Sequence, residues 1–368
     1  MDELRDRQVI YWLDSILFDK RAKHLMLAVA GRGRDIMKLP DDWVCEVLSK
    51  EDFLNWKNGK HINIEENWSA LTKKQISMTY FGAKDYPKKL LHIPDPPFCI
   101  YYRGMLPDEH QHSVAMIGAR QNSEYGAALA RQFARYFAQH GIAVVSGMAM
   151  GIDGISQKEA LAYGGASYGV LGCGVDVVYP PSNRTLYQSL VQEGGLLSEY
   201  LPGAAAMAWM FPPRNRIISG LADCVLVVEA RQKSGTLITV DMALEQGKDV
   251  FVIPGRCTDL LSYGCNKLIR NGATCVCSPQ DLIEDMKWED VAVNQRMKKA
   301  KLVVSPVARE IFKSMDFAPK SQDDILQSLR MRGVELTESQ LCQGLLELEL
   351  KGVILRNFGQ YSVTVNGF

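Results

Sequence analysis

The sequence predicts an α/β protein: a doubly wound, mostly parallel sheet with a small helical N-terminal module and a C-terminal winged-helix domain. Three observations carry that prediction. Apolar strand-like runs, Gly-rich turns and helical stretches alternate from residue 113 to about 286. Residues 1–75 show helical spacing only, and residues 306–368 read as three helices followed by a hairpin.

In the N-terminal part, Leu13, Ile16 and Leu17 recur at helical spacing, and Trp43, Val44, Val47 and Leu48 share one face. Between them, Gly31 and Gly33 alternate with Arg32 and Arg34, which suits a turn between helices or a small nucleic-acid module. Residues 76–112, rich in Pro and aromatics, read as a connector that packs on the following domain and is extended around Ile100. Candidate strands then fall at 113–118, 142–147, 167–172, 195–200, 223–230, 248–255 and 273–277. They are near-continuous apolar runs, as parallel strands buried on both faces require. Helical segments lie between them, so residues 113–286 form one sheet domain with its sites at the carboxyl ends of the strands. Residues 287–305 are charged and aperiodic, which marks a linker before the C-terminal domain at 306–368.

Composition narrows the function. Hydrophobic types make up 47% of the 368 residues, enough for a sizeable core. No apolar run reaches the roughly 18 residues of a membrane span, and the first residues lack a signal-peptide apolar segment. Nine cysteines without a CxxC pair suit reduced thiols, so a cytoplasmic protein without a metal site is expected. The net charge is +0, so any polyanion must be held by local clusters. The six histidines end at His140, which leaves no imidazole for a catalytic triad or metal site in the last two thirds of the chain.

The turns after the strands carry the chemistry. The first, GARQNSEYG, offers Arg120 beside Gly118, with Ser123 as a helix cap. The second, SGMAMGIDG, places Ser146, Gly147 and Gly151 before a helix, where backbone N–H groups can approach a ligand closely. GCGVDVVYPPSNRTLY follows the third strand. FPPRNRIISGL, after the fourth, contributes Arg214, Asn215 and Arg216, and ARQKSGTLIT, after the fifth, contributes Ser234, Gly235 and Thr236 at a helix start. The turn after the sixth strand adds Asn266, Lys267 and Arg270. Small residues, helix N-termini and guanidinium groups are the parts that bind phosphates. One such loop would be explained by tight strand–helix packing, whereas six on one sheet point to an extended anionic ligand. There is no GxxxxGK[ST] and no GxGxxG, so neither a P-loop nucleotidase nor ordinary dinucleotide binding is supported.

Asp153, Asp176, Glu199, Glu229 and Asp241 lie near strand ends and could include an acid–base pair. Helix caps and ion pairs with Arg214 and Arg216 are the plainer roles. Cys173 has no histidine in its domain to activate it, so a buried structural thiol is expected. The C-terminal stretch holds seven basic and eight acidic residues, a net of −1, and its third helix is acidic. A DNA-reading helix should be basic, so this module is expected to contact protein or to assist DNA binding.

The segments IGARQNSEYG, VVSGMAMGID, VLGCGVDVVYPPSN, LLSEY, FPPRNRIISGL, VVEARQKSGTLIT, VIPG and YGCNKLIRNGA closely resemble the DprA/Smf family of DNA-processing proteins in bacterial natural transformation. The resemblance spans about residues 80–280, and family members often carry similar flanking modules. It implies an extended Rossmann domain that dimerises, binds single-stranded DNA along a phosphate pocket and hands it to the recombinase RecA. It implies no catalytic residue and no cofactor. At the matching positions it implies Arg120 for phosphate and Ser146, Gly147 and Gly151 for a backbone cradle. Arg214, Asn215 and Arg216 would line or brace the pocket, with Ser234, Gly235 and Thr236 as a second cradle completed by Asn266 and Lys267. Two departures stand out: Gln157 replaces the family's usual His, and Lys248 sits where Arg is common. The rival reading is a nucleotide sensor or phosphoribohydrolase-like enzyme of the same fold superfamily, whose PGGxGTxxE motif is missing here.

Overall fold

In the computed structural model, residues 2–288, 304–315, 319–351, 353–357 and 359–363 are described. The N-terminal part forms α1 (Asp2–Ser15), α2 (Lys20–Ala30), α3 (Asp41–Val47), α4 (Lys50–Gly59) and α5 (Ile64–Lys73). Polar residues start several of them: Asp19, Ser49 and Asn63 each accept a backbone N–H from the first turn that follows. Trp12 meets Trp56 edge-on at 5.2 Å and donates its indole N–H to the Gly59 carbonyl at 2.7 Å. Of the two arginines in the Gly31–Arg34 turn, Arg34 is tied to Asp2 at 2.6 Å.

The central sheet has nine strands: β1 (Ser77–Tyr80), β2 (Cys99–Gly104), β3 (Ser113–Ile117), β4 (Ala143–Ser146), β5 (Ser167–Leu171), β6 (Gly195–Ser198), β7 (Cys224–Val227), β8 (Asp249–Val252) and β9 (Thr274–Cys275). Their order is β1-β2-β6-β5-β4-β3-β7-β8-β9. From β6 to β9 all neighbours are parallel, while β2 runs antiparallel to β6 and β1 antiparallel to β2. The stretch expected to be a connector therefore supplies two strands and a short helix, α6 (Lys88–Leu91). β2 is the extended stretch expected around Ile100, while the Pro-rich middle hides β1, which is short and pairs at the sheet's edge.

Alternation along each strand divides the core in two. Val114 and Met116 face a cluster with Phe133, Phe137 and Ile152, so α7 (Glu124–Gln139) and α8 (Ile152–Ala162) cover one face. Ala115 and Ile117 face Ile217, Ile218, Leu221 and Val240 on the other, under α10 (Phe211–Leu221) and α11 (Gly235–Glu245). Three further helices complete the layers: α9 (Arg184–Glu193), α12 (Tyr263–Arg270) and α13 (Pro279–Asp285). The N-terminal helices share a cluster with Met78, Tyr101 and Leu196, so they extend the sheet's packing over β1, β2 and β6. After β6 the chain crosses to β7, on the far side of β3, and this reversal opens a crevice at the carboxyl ends.

The C-terminal residues form α14 (Pro306–Lys313), α15 (Gln322–Met331), α16 (Glu338–Leu350) and an antiparallel hairpin of β10 (Ile354–Asn357) and β11 (Gln360–Val363). This is the expected order of elements. Ile311, Ile325, Leu329, Leu345 and Tyr361 form a core of their own. Most of the expected linker, residues 289–303, lies outside the described residues. Its second residue, Trp288, is buried and stacks on His112 at 4.5 Å. Among the described residues, no helix is long and apolar enough to cross a membrane.

Candidate nucleic-acid interface

The loops after β3, β4 and β5 and the start of α10 line a small open cleft, of about 40 Å³, at the carboxyl edge of the sheet. Arg120 and Arg214 face it, and both guanidinium groups lie near the Phe211 ring, at 5.9 and 5.8 Å from its centre. Arg120 is exposed and makes no hydrogen bond or ion pair among the described residues. Arg214 is buried: it donates to the carbonyls of Gly147, at 2.9 Å, and Val170, and to Asn215 Oδ1 at 3.2 Å. Burial pulls its pKa down to about 10, against the opposing pull of Asp153, so it stays cationic at neutral pH.

Side chains brace the loop after β4 from beneath. The Gly147 N–H donates to Asp153 Oδ2 at 3.1 Å, and the Met148 N–H donates to Gln157 Oε1 at 3.1 Å. Burial pushes the Asp153 carboxyl up, while Arg214 and the Gly147 N–H draw it back. Gly151 has φ +78°, and a Cβ there would stand 2.2 Å from the Ala119 carbonyl oxygen. Only glycine lets the two loops approach so closely. At the start of α8, the N–H groups of Met150 and Gly151 have no acceptor among the described residues.

This geometry corrects parts of the expected cradle. The Ser146 hydroxyl is fully buried and donates to the Met116 carbonyl at 2.6 Å, and the Gly147 N–H is held by Asp153. Neither group is available to a ligand, so the available donors lie further on, at Met150 and Gly151. Arg216 also turns away from the cleft. It forks onto Glu199 at 2.6 and 3.0 Å and bonds Asp95, while Lys20 adds a second cation on Glu199 at 2.7 Å. Asn215 braces Arg214 from outside.

The remaining expected residues lie along the β7–β8 part of the same edge. Ser234 caps α11 by accepting the Thr236 N–H at 3.2 Å, and its hydroxyl donates to Thr236 Oγ1 at 2.9 Å. Gly235 is exposed at this helix start. Asn266 bonds both backbone groups of Gly255, which fixes the turn after β8, and Lys267 is exposed beside it. Arg231, Lys233 and Arg256 are exposed in the same loops, whereas exposed Arg270 ends α12, on the side of the sheet from which β9 starts. Among the described residues, none of these cations, Arg120 included, has a carboxylate at ion-pair distance.

Sequence reasoning missed Phe211 and Tyr179, whose rings lie 5.3 Å apart at the cleft. Their signal was an aromatic beside the basic and Pro-rich motifs. Of the acids near the strand ends, Glu199 is held by Arg216 and Lys20, and Glu229 accepts the backbone N–H and hydroxyl of Ser123. Asp176 accepts Lys74 and the Gly203 N–H. The Cys173 thiol is pushed up to about 11 by burial, which makes it a poor nucleophile.

A sequence model of the family described as DNA recombination-mediator protein A matches residues 77–287, more than half of the chain. The chain belongs to this family. Its DprA/Smf relatives include Protein Smf of Escherichia coli, 41% identical over 227 residues, which are 61% of this chain and 61% of that one. The match therefore spans about three fifths of that relative's length. The DNA processing protein DprA of Streptococcus pneumoniae is 40% identical over 203 residues, 55% of this chain and 72% of its own. Its X-ray structure superposes with a TM-score of 0.69 at 32% identity, covering 75% of this chain and 96% of that one. DNA processing protein A of Helicobacter pylori, solved for its single-stranded DNA binding mode, gives a TM-score of 0.53 at 30% identity, covering 59% and 98%. The DprA/Smf match begins at β1, so the two antiparallel strands belong to the shared unit.

Proposed function

We propose that the chain binds single-stranded DNA, without base specificity, along the carboxyl edge of its sheet. One observation carries this reading. A row of exposed cations without carboxylate partners among the described residues, Arg120, Arg231, Lys233 and Arg256 in the loops after β3, β7 and β8 and Lys267 on α12, follows the carboxyl edge, where a cleft has Arg120 at its mouth and buried Arg214 in its wall. Such a row suits a chain of phosphates, and the Tyr179 and Phe211 rings offer faces for unstacked bases. The relative from Helicobacter pylori, described by its single-stranded DNA binding, supports the choice of ligand. From the family resemblance, the proposal extends to a homodimer that passes the strand to RecA in the cytoplasm during DNA uptake and recombination.

The reading is of a binding protein rather than an enzyme. Asp153, Glu199, Glu229 and Asp176 all accept bonds from the protein itself, which leaves the rival nucleotide hydrolase, of the five strand-end acids, only exposed Asp241 on α11 without such a bond among the described residues. The test is titration of equal-length single- and double-stranded oligonucleotides over a range of salt. Single strands of any sequence should bind more tightly. Log affinity should fall linearly with log salt, with a slope of about −0.7 per phosphate neutralised. Equal binding of both forms, or steady release of free base from nucleoside monophosphates, would overturn the proposal.

A further inference from the structure

The loop after β4 contains a residue that its backbone disfavours. Met148 is not glycine, yet it sits at φ +52°, in the left-handed region. Side chains bond both of its backbone groups, and the Gly154 N–H adds a backbone bond to the Ala149 carbonyl at 3.1 Å. On one side, Gln157 Oε1 on α8 accepts the Met148 N–H at 3.1 Å. On the other, Asn183 Nδ2, just before α9, donates to the carbonyls of Met148 at 3.0 Å and Ala149 at 3.1 Å. The peptide groups that lead into the free N–H groups of Met150 and Gly151 are therefore clamped from two helices.

Gln157 is an expensive choice for this task. It is fully buried, and its Nε2 has no hydrogen-bond partner among the described residues. An unpartnered buried amide donor costs stability, so packing alone would favour an apolar side chain of similar volume. Such a group persists where the chain needs the other half of it, and here that half is the acceptor for Met148.

We propose that Gln157 and Asn183 are positioning residues that set the Met148–Gly151 backbone for a DNA phosphate. The inference rests on the reading of this edge as the DNA site. Neither side chain need touch DNA, because each acts through the peptide that it holds. A preorganised pair of N–H donors binds an anion without first paying to order the loop.

Gln157→Met keeps the volume and removes the acceptor, whereas Gln157→Glu keeps an oxygen in its place. Asn183→Ala removes the second arm at a half-buried position, which keeps the test usable should changes at the buried glutamine impair folding. Single-strand affinity, its salt slope, thermal melting and amide exchange across residues 147–151 are measured for each, beside Arg120→Ala. For Gln157→Met and Asn183→Ala the expected result is about tenfold weaker binding, equivalent to about 1.4 kcal/mol. Melting and salt slope should stay unchanged, exchange in the loop should be faster, and Gln157→Glu should recover most of the affinity. Wild-type affinity in Gln157→Met and Asn183→Ala, with Arg120→Ala impaired, would overturn the clamp and leave the DNA site standing. Wild-type affinity in all variants, Arg120→Ala included, would remove the DNA site and the clamp together. Losses of binding that track losses of melting, with no recovery in Gln157→Glu, would make both residues structural and overturn the proposal.

Discussion

Arg120, Arg214 and Arg216 look alike in the sequence, and the structure gives each a different task. Residues 214 and 216 stand two apart on α10, about 200° around the helix, so they cannot face the same cleft. Arg214 closes the cleft wall and holds two backbone carbonyls, while Arg216 is taken up by Glu199. Arg120 alone has its guanidinium fork available, with only the Phe211 ring nearby. Arg120→Ala should therefore weaken single-strand binding by about 1.5–3 kcal/mol, the range for a charged hydrogen bond. It should also flatten the salt slope by about one phosphate and leave melting unchanged. Arg120→Lys should recover only part, because an ammonium lacks the fork. Unchanged affinity and slope in a folded Arg120→Ala protein would remove Arg120 from the site. The basic residues of the site were thus legible in the sequence. Which of them are available was not, because that depends on helix phase and on acids distant along the chain.

At the scale of elements, α10 and the N-terminal helices are tied through one buried carboxylate. Glu199, at the end of β6, receives the Arg216 fork from α10 and Lys20 from α2, while Asp95 bonds the outer side of Arg216. Burial works to raise the Glu199 carboxyl, but Arg216 and Lys20 more than offset it and hold the group below 4.5. A carboxyl depressed in the folded state adds stability that is present above the ordinary glutamate value. That stability is lost as pH falls through the lower folded value. Glu199→Gln should therefore destabilise the protein at pH 7 by about 3 kcal/mol, since it removes the buried partner of Arg216 and leaves the guanidinium only the exposed Asp95. The difference from wild type should shrink as pH falls through the acid range, and urea unfolding across pH 7 to 3 measures it. A constant difference over that range would detach the effect from ionisation. The parallel strands and their helices were legible, since apolar runs and helical periods mark both. Two elements were not. The first turn of α10 contains Pro212 and Pro213, which read as loop but are tolerated where no helical N–H is needed. β1 was hidden by the Pro-rich stretch that follows it, whereas β2 is the extended stretch read around Ile100.

For the whole molecule, a net charge of +0 conceals an uneven distribution. In the N-terminal part Arg5, Arg7, Lys23, Arg34, Lys38 and Lys60 pair with acids, while Arg21, Arg32, Lys50, Lys57 and Lys73 do not. Along the carboxyl edge of the sheet, by contrast, Arg120, Arg231, Lys233, Arg256 and Lys267 are all without an ion pair among the described residues. Pairing cancels the field of the paired cations at short range and leaves the row along the sheet to attract a polyanion. Residues 306–368 sum to −1, and α16 carries Glu338, Glu347 and Glu349, so this part adds no attraction for phosphate. Its core is built only from residues 304 onward, and the three large clusters of the remainder end at Trp288. Removing it therefore takes no side chain from those clusters. A chain ending near Ser305 should keep its melting transition and most of its single-strand affinity, within about threefold, or about 0.65 kcal/mol. Its salt slope should match that of the full chain, because the same phosphates are neutralised. A loss of a hundredfold or more, about 2.7 kcal/mol, in a shortened chain that still melts cooperatively would place DNA contacts in the C-terminal helices instead.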